Sequence, residues 1–164
     1  MPTDISKYSF NHTMIRVKDP QASIKFYTEI LGMKYISKFD INDAKVTLYF
    51  LAFVDSVPET EEEKIKLAFS HSGMLELAHN WGTESQIDFA YNNGNGMDIG
   101  RGFGHTSILV DDLKEACKRL ESLGVKFHKK LTEGGIHTIA FIADPDDYWI
   151  EIIGNPIYTG INPI

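Results

Sequence analysis

The sequence predicts an α+β fold in which one βαβββ pattern is written twice, each module a helix packed on a curved sheet. Three observations carry this reading. The stretches NHTMIRVKDP (residues 11–20) and GFGHTSILVDD (102–112) share the phrase His-Thr-x-Ile-x-Val-x-Asp. Each phrase is followed by an apolar stripe at helical spacing that stops at a glycine. Each stripe is followed by three strand-like runs.

In chain order, HTMIRV reads as a strand by its alternation. Asp19 and Pro20 then read as a helix cap and first helical residue. Ile24, Tyr27, Ile30 and Leu31 form the helical stripe, and Gly32 suits a left-handed helix end. Strand-like runs follow at 33–39, 45–53 and 74–80. In the second half, HTSILV is the strand, and Asp112 with Glu115 resembles a capping box. Leu113, Ala116, Cys117, Leu120 and Leu123 form the stripe, and Gly124 the stop. Runs at 125–129, 137–143 and 148–153 complete the repeat. The expected unit is a single domain over 8–153, made of module 1 (8–80), module 2 (102–153) and a link (81–101).

Two segments break the symmetry. ETEEEKIK (59–66) reads as a solvated loop or helical turn. The link contains YNNGNGMDIGRG. Its length fits either a flexible connector or a functional loop.

Composition narrows the partners. A formal net charge of -7 with scattered basic residues argues against nucleic acid and anionic membrane. No window approaches the roughly 20 apolar residues of a bilayer span. MPTDISKYSF lacks the apolar core of a signal peptide. The single cysteine, Cys117, allows no internal disulfide and sits on the helical stripe, where it reads as core packing. A cytoplasmic setting is expected.

Strand alternation then selects candidate site residues. His12, Met14 and Arg16 share one face of the first strand. In MLELAHN, Glu76 shares a face with Met74, Ala78 and Asn80. In GHTSILV, His105 lies with Ser107 and Leu109; in YWIEII, Glu151 lies with Trp149 and Ile153. Each module therefore presents one His and one Glu away from its helix. A carboxylate in an apolar strand needs a partner. Two imidazoles and two carboxylates suit zinc, nickel, cobalt or ferrous iron better than calcium or magnesium. Taken singly, each also reads as a satisfied strand histidine or an edge glutamate facing solvent.

The strings NHTMIRVKDP, FYTEILGMK, LYFLAF, LELAHNWGTE, RGFGHTSI, GVKFHKK and DPDDYWIEII resemble glyoxalase I, the lactoylglutathione lyase family of the vicinal oxygen chelate superfamily. The resemblance runs from Phe10 to Ile153. It implies that His12, Glu76, His105 and Glu151 are metal ligands. It also implies a homodimer with active sites at the subunit interface, two ligands coming from each subunit. Arg16, Asn80 and Arg101 fall on positions that hold glutathione. Lys129 or Lys130 falls on the basic position for its glycyl carboxylate, and Trp149 on a pocket-lining position. His12 stands where animal members have glutamine. Short bacterial members with histidine favour Ni2+ or Co2+, whereas the long link resembles zinc-using members, so Zn2+ is expected. Asp147 stands where the family usually has glycine, which implies a small stability cost in a left-handed turn.

The implied reaction isomerises the hemithioacetal of methylglyoxal and glutathione to S-lactoylglutathione through an enediolate. Glu151 is implied as the main base and Glu76 as the base for the other substrate enantiomer. Rival readings are an extradiol dioxygenase, an acyl-CoA epimerase, or a metal-free small-molecule binding module.

Overall fold

The computed structural model describes residues 3–97 and 100–159; Asp98 and Ile99 of the link lie outside them. The chain divides into two compact units, Met1–Phe89 and Ala90–Ile164, and the division falls inside the link. The first unit holds β1 (His12–Val17) and α1 (Pro20–Lys25), which runs on into a π-helical turn at Phe26–Ile30. It continues with β2 (Lys34–Ile41), β3 (Val46–Ala52), α2 (Glu61–Ser70) and β4 (Met74–Asn80). The second unit holds β5 (His105–Val110), α3 (Leu113–Ser122), β6 (Phe127–Lys129), β7 (Ile139–Ala143), β8 (Trp149–Gly154) and α4 (Pro156–Thr159).

Each unit forms a four-stranded mixed sheet, in the orders β1-β4-β3-β2 and β5-β8-β7-β6. β1 pairs parallel with β4, and β5 pairs parallel with β8; the other pairs are antiparallel. A parallel pair needs a long crossover, and here the rest of each module supplies it. The first and last strands of each module thus become neighbours. These are the strands that carry the candidate His and Glu residues.

The helix starts follow the chain chemistry. Asp19 accepts from the amides of Gln21 and Ala22, with Pro20 at the first helical position. The π-helical turn shifts the buried face to Ser23, Phe26 and Tyr27, leaving Ile24, Ile30 and Leu31 half-buried. Asp112 caps α3 through the amides of Lys114 and Glu115. The reciprocal half of the expected capping box is absent, because the Asp112 amide donates to Asp111 and Glu115 pairs with Lys118 instead. Cys117 and Leu120 are buried on α3, but Leu123 is half exposed. Gly32 and Gly124 end their helices at φ of 85° and 73°.

The acidic run is a correction to the sequence reading. It opens a ten-residue helix, α2, where a solvated loop or a helical turn was expected. Thr60 accepts from the Glu63 amide and donates to the Glu63 carboxylate. Past the charges, Ala68 is buried in a cluster with Ile36, Phe50, Ala52 and Met74. Phe50 lies opposite Glu76 in the sheet register, so α2 covers part of the Glu76 face. The alternation set His12 and Glu76 away from α1 and did not foresee this second helix beside them. On the other face Ile15, Val17 and Leu77 are buried, and α1 packs against β4.

Candidate metal centre

In the first unit, β1 and β4 bring His12 and Glu76 together. His12 Nε2 lies 3.4 Å from Glu76 Oε2. Glu76 is 7% exposed, and burial pushes its carboxyl pKa up while His12 opposes that shift. No described residue donates a hydrogen bond to its carboxylate. Phe50 sets its ring edge-on to His12, with centroids 5.9 Å apart. Phe69 of α2 and Phe39 of β2 pack beside Phe50, extending an aromatic cluster on one side of the pair. Asn11 Oδ1 lies 2.8 Å from His12 Nδ1. A buried carboxylate and an imidazole nitrogen face each other with no hydrogen bond joining them, two donors that a cation could use.

The second unit repeats the pair on β5 and β8. His105 Nε2 lies 3.7 Å from Glu151 Oε2. Ser107 donates to the same oxygen at 2.9 Å. The His105 ring meets Phe141 edge-on, with centroids 5.2 Å apart. Among the described residues, no group of three or more His, Cys, Asp or Glu side chains is arranged to hold a metal. Each unit thus offers one pair, with one nitrogen and one carboxylate.

The remaining predicted residues divide into two groups. Arg16 and Asn80 meet: Arg16 Nη1 donates to Asn80 Oδ1 at 3.0 Å, on the strand face of His12 and Glu76. Trp149 stacks on His128, with centroids 4.6 Å apart and planes 18° apart. Arg101 is exposed on the stretch leading to β5. Lys129 Nζ donates to the carbonyls of Ile136 and Ile139, bracing the loop before β7. Lys130 Nζ pairs with Glu121 at 3.1 Å. Both lysines thus already have protein partners.

Sequence reasoning missed what surrounds these residues. The string HNWGTE is a locked turn. His79 Nε2 meets Glu84 Oε2 at 2.7 Å, and the Gly82 amide donates to the same oxygen. Thr83 Oγ1 contacts the carbonyls of Lys18 and Asn80, and Trp81 Nε1 donates to Thr47. The turn fixes Asn80 at the end of β4. Residues 92–95 of the link are held by hydrogen bonds too. The Gly94 amide donates to Asn92 Oδ1 and the Asn95 amide to Asn93 Oδ1, as Asx turns do. Asn95 Nδ2 reaches the Gly104 carbonyl, next to His105, and Asn93 Nδ2 reaches the Asp147 carbonyl. Asp147 holds φ at 67°, as the resemblance implied. Its carboxylate takes Lys126 Nζ at 2.6 Å. His128 Nε2 lies 3.1 Å from the same oxygen without the alignment of a hydrogen bond.

Residues 9–152 match the Glyoxalase/Bleomycin resistance protein/Dioxygenase superfamily. The chain belongs to this superfamily. Within it, the lactoylglutathione lyase of Pseudomonas putida is 47% identical over 150 residues, covering 90% of this chain and 86% of that one. The lactoylglutathione lyase of Schizosaccharomyces pombe is 49% identical over 150 residues, and the match spans 46% of its length. Among solved structures of the superfamily, the trypanothione-dependent glyoxalase I of Leishmania major superposes with a TM-score of 0.66 at 34% identity, covering 90% of this chain and 87% of that one. Glyoxalase I of Zea mays superposes with a TM-score of 0.63 at 33% identity, over 88% of this chain and 43% of that one. Two of these relatives are therefore about twice as long as the matched region.

Proposed function

We propose that the chain is a lactoylglutathione lyase, which isomerises the methylglyoxal–glutathione hemithioacetal to S-lactoylglutathione. The observation that carries this reading is the pairing of His12 with Glu76 and of His105 with Glu151 on equivalent strands of a duplicated superfamily fold. Each pair is half of a four-donor set, completed by the complementary pair of a second copy of the chain. The two modules form one functional domain over 8–153. The set suits Zn2+, with Ni2+ or Co2+ as substitutes. The orphaned, buried Glu76 carboxylate fits such an ion. When bound, the cation supplies Lewis-acid stabilisation of the enediolate charge.

The protein's own groups do the rest. Glu151 takes the C1 proton and returns it at C2, and Ser107 fixes the orientation of its Oε2. Glu76 serves the other substrate enantiomer, and burial makes its carboxylate a stronger base. Both bases are held in place before the substrate arrives, which lowers the entropic part of the barrier. Arg16 and Asn80 form a joint donor site for a carboxylate of the tripeptide. Arg101 and a basic group at Lys129 or Lys130 add further charge, and Trp149 lines the pocket. Lys130 must leave Glu121 to take part. Glutathione is the proposed thiol and the cytoplasm the proposed setting. Among the described residues no helix is long and apolar enough to cross a membrane.

The test is direct. Protein supplied with zinc, methylglyoxal and glutathione should accumulate the thioester, and a chelator should stop it. No thioester with zinc, nickel or cobalt would refute the assignment. Faster turnover with trypanothione would refute the choice of thiol. Glu151→Gln should cut turnover far more than it weakens binding of S-hexylglutathione.

A further inference from the structure

The side chain of Asn11 is fixed without ambiguity. Its Nδ2 donates to two carbonyls, Ala68 O at 3.0 Å and His71 O at 2.8 Å, and carbonyls only accept. The amide oxygen must then be the atom that faces His12 Nδ1 at 2.8 Å. That oxygen has no proton to give, so the proton between them belongs to His12 Nδ1. In the neutral ring this leaves the lone pair on Nε2, the atom facing Glu76 Oε2.

The acceptors come from the last turn of α2 and its cap, where helix carbonyls lack intrahelical partners. The Asn11 carbonyl also accepts from the Met74 amide, tying the same residue to the start of β4. The second unit has no such device. His105 follows Gly104, and among the described residues its Nδ1 has no hydrogen-bond partner.

We propose that Asn11, gripped by the C-terminal carbonyls of α2, is a positioning residue that holds His12 as the Nδ1–H tautomer and aims Nε2 at the cation. The proposal rests on reading His12 as a ligand. The inserted helix then has a role at the site: it anchors the atom that orients one ligand. His12 is the preorganised ligand of its pair's half-site, and His105 settles on the ion only when it binds.

Two measurements test this. The first uses metal-free protein labelled with 15N-histidine and reads the tautomer of His12 from two-bond proton–nitrogen correlations. The Nδ1–H form is expected; a dominant Nε2–H form overturns the proposal. The second is competition for zinc against a chromophoric chelator. Asn11→Ala should weaken zinc binding about 10- to 100-fold, the usual effect of losing a group that orients a metal-bound histidine. Asn11→Asp keeps an acceptor beside Nδ1 but loses both bonds to α2. It should lower the thermal midpoint as much as Asn11→Ala does, yet hold zinc close to the wild-type level. Equal zinc losses in the two variants, or none in either, would reduce Asn11 to a structural brace. If the wild-type protein binds no zinc, the ligand reading fails, and the tautomer measurement still decides what Asn11 does to His12.

Discussion

Gly94 is the position where a single methyl group should do the most damage for its size. It holds φ at 84°, and a Cβ built there would lie 2.2 Å from the Phe103 carbonyl oxygen. Gly124 holds a similar φ of 73° with open space around it. The two Gly→Ala variants therefore share a conformational cost of about 1 kcal/mol and differ in the clash. Relieving a contact of 2.2 Å requires the two backbone segments to part by roughly 1 Å, since non-bonded atoms settle near 3.5 Å. That movement strains the Gly102 N–Gly94 O bond of 2.8 Å and the Asn95–Gly104 bond of 2.7 Å. Each is worth about 1 kcal/mol. Gly94→Ala should thus cost about 3 kcal/mol and Gly124→Ala about 1 kcal/mol, or midpoint losses of about 6–12 °C and 2–4 °C. Differential scanning fluorimetry on the two variants gives the comparison. Because the strained loop carries Arg101 and leads to His105, Gly94→Ala should also raise the KM for hemithioacetal at temperatures where it is folded. Equal midpoints for the two variants would show that the close approach of Gly94 to Phe103 does not exist in solution.

Three further outcomes follow from the structure. Thr60→Ala removes the cap of α2 and should cost about 1 kcal/mol, and an unchanged thermal midpoint would show that the Thr60–Glu63 contacts do not hold the helix. Glu84→Ala leaves the buried His79 without its acceptor and frees the turn that fixes Asn80, so KM should rise several-fold with kcat retained; a fall in kcat alone would count against this. Cys117 is buried, and burial pushes its thiol pKa up, with Glu121 adding to the shift and Lys129 opposing it. Alkylation by iodoacetamide at mildly alkaline pH should be slow in the native protein and fast in denaturant, and rapid native labelling would contradict the packing of α3.

The four candidate ligands were legible in the sequence because a strand announces its faces by alternation, and the repeat places each His and Glu on equivalent strands. Helix α2 was hidden for a physical reason. Its first turn is all acidic, so its hydrophobic content falls in the second half, at Leu67, Ala68 and Phe69, beyond the charged run that marks the segment. The Thr60–Glu63 box was the available signal. The hydrogen bonding of residues 92–95 was half legible. Asx turns are local, and the asparagines at 92, 93 and 95 advertise them. The bond from Asn93 to Asp147 spans 54 positions and has no local signature. The π-helical turn after α1 likewise left no mark in the spacing of Ile24, Tyr27 and Ile30.

The parallel pairing of β1 with β4 has a bearing on how the chain is made. His12 and Glu76 stand 64 positions apart, and they become neighbours only when the last strand of the module docks beside the first. Contacts this remote in sequence form slowly, after local helices and hairpins. A ribosome-bound chain that has released β1, α1, β2 and β3 therefore holds no chelating pair. Until β4 docks beside β1, the chain presents His12 without Glu76 beside it, so the first half of the proposed metal centre is assembled late, with the closing of the module.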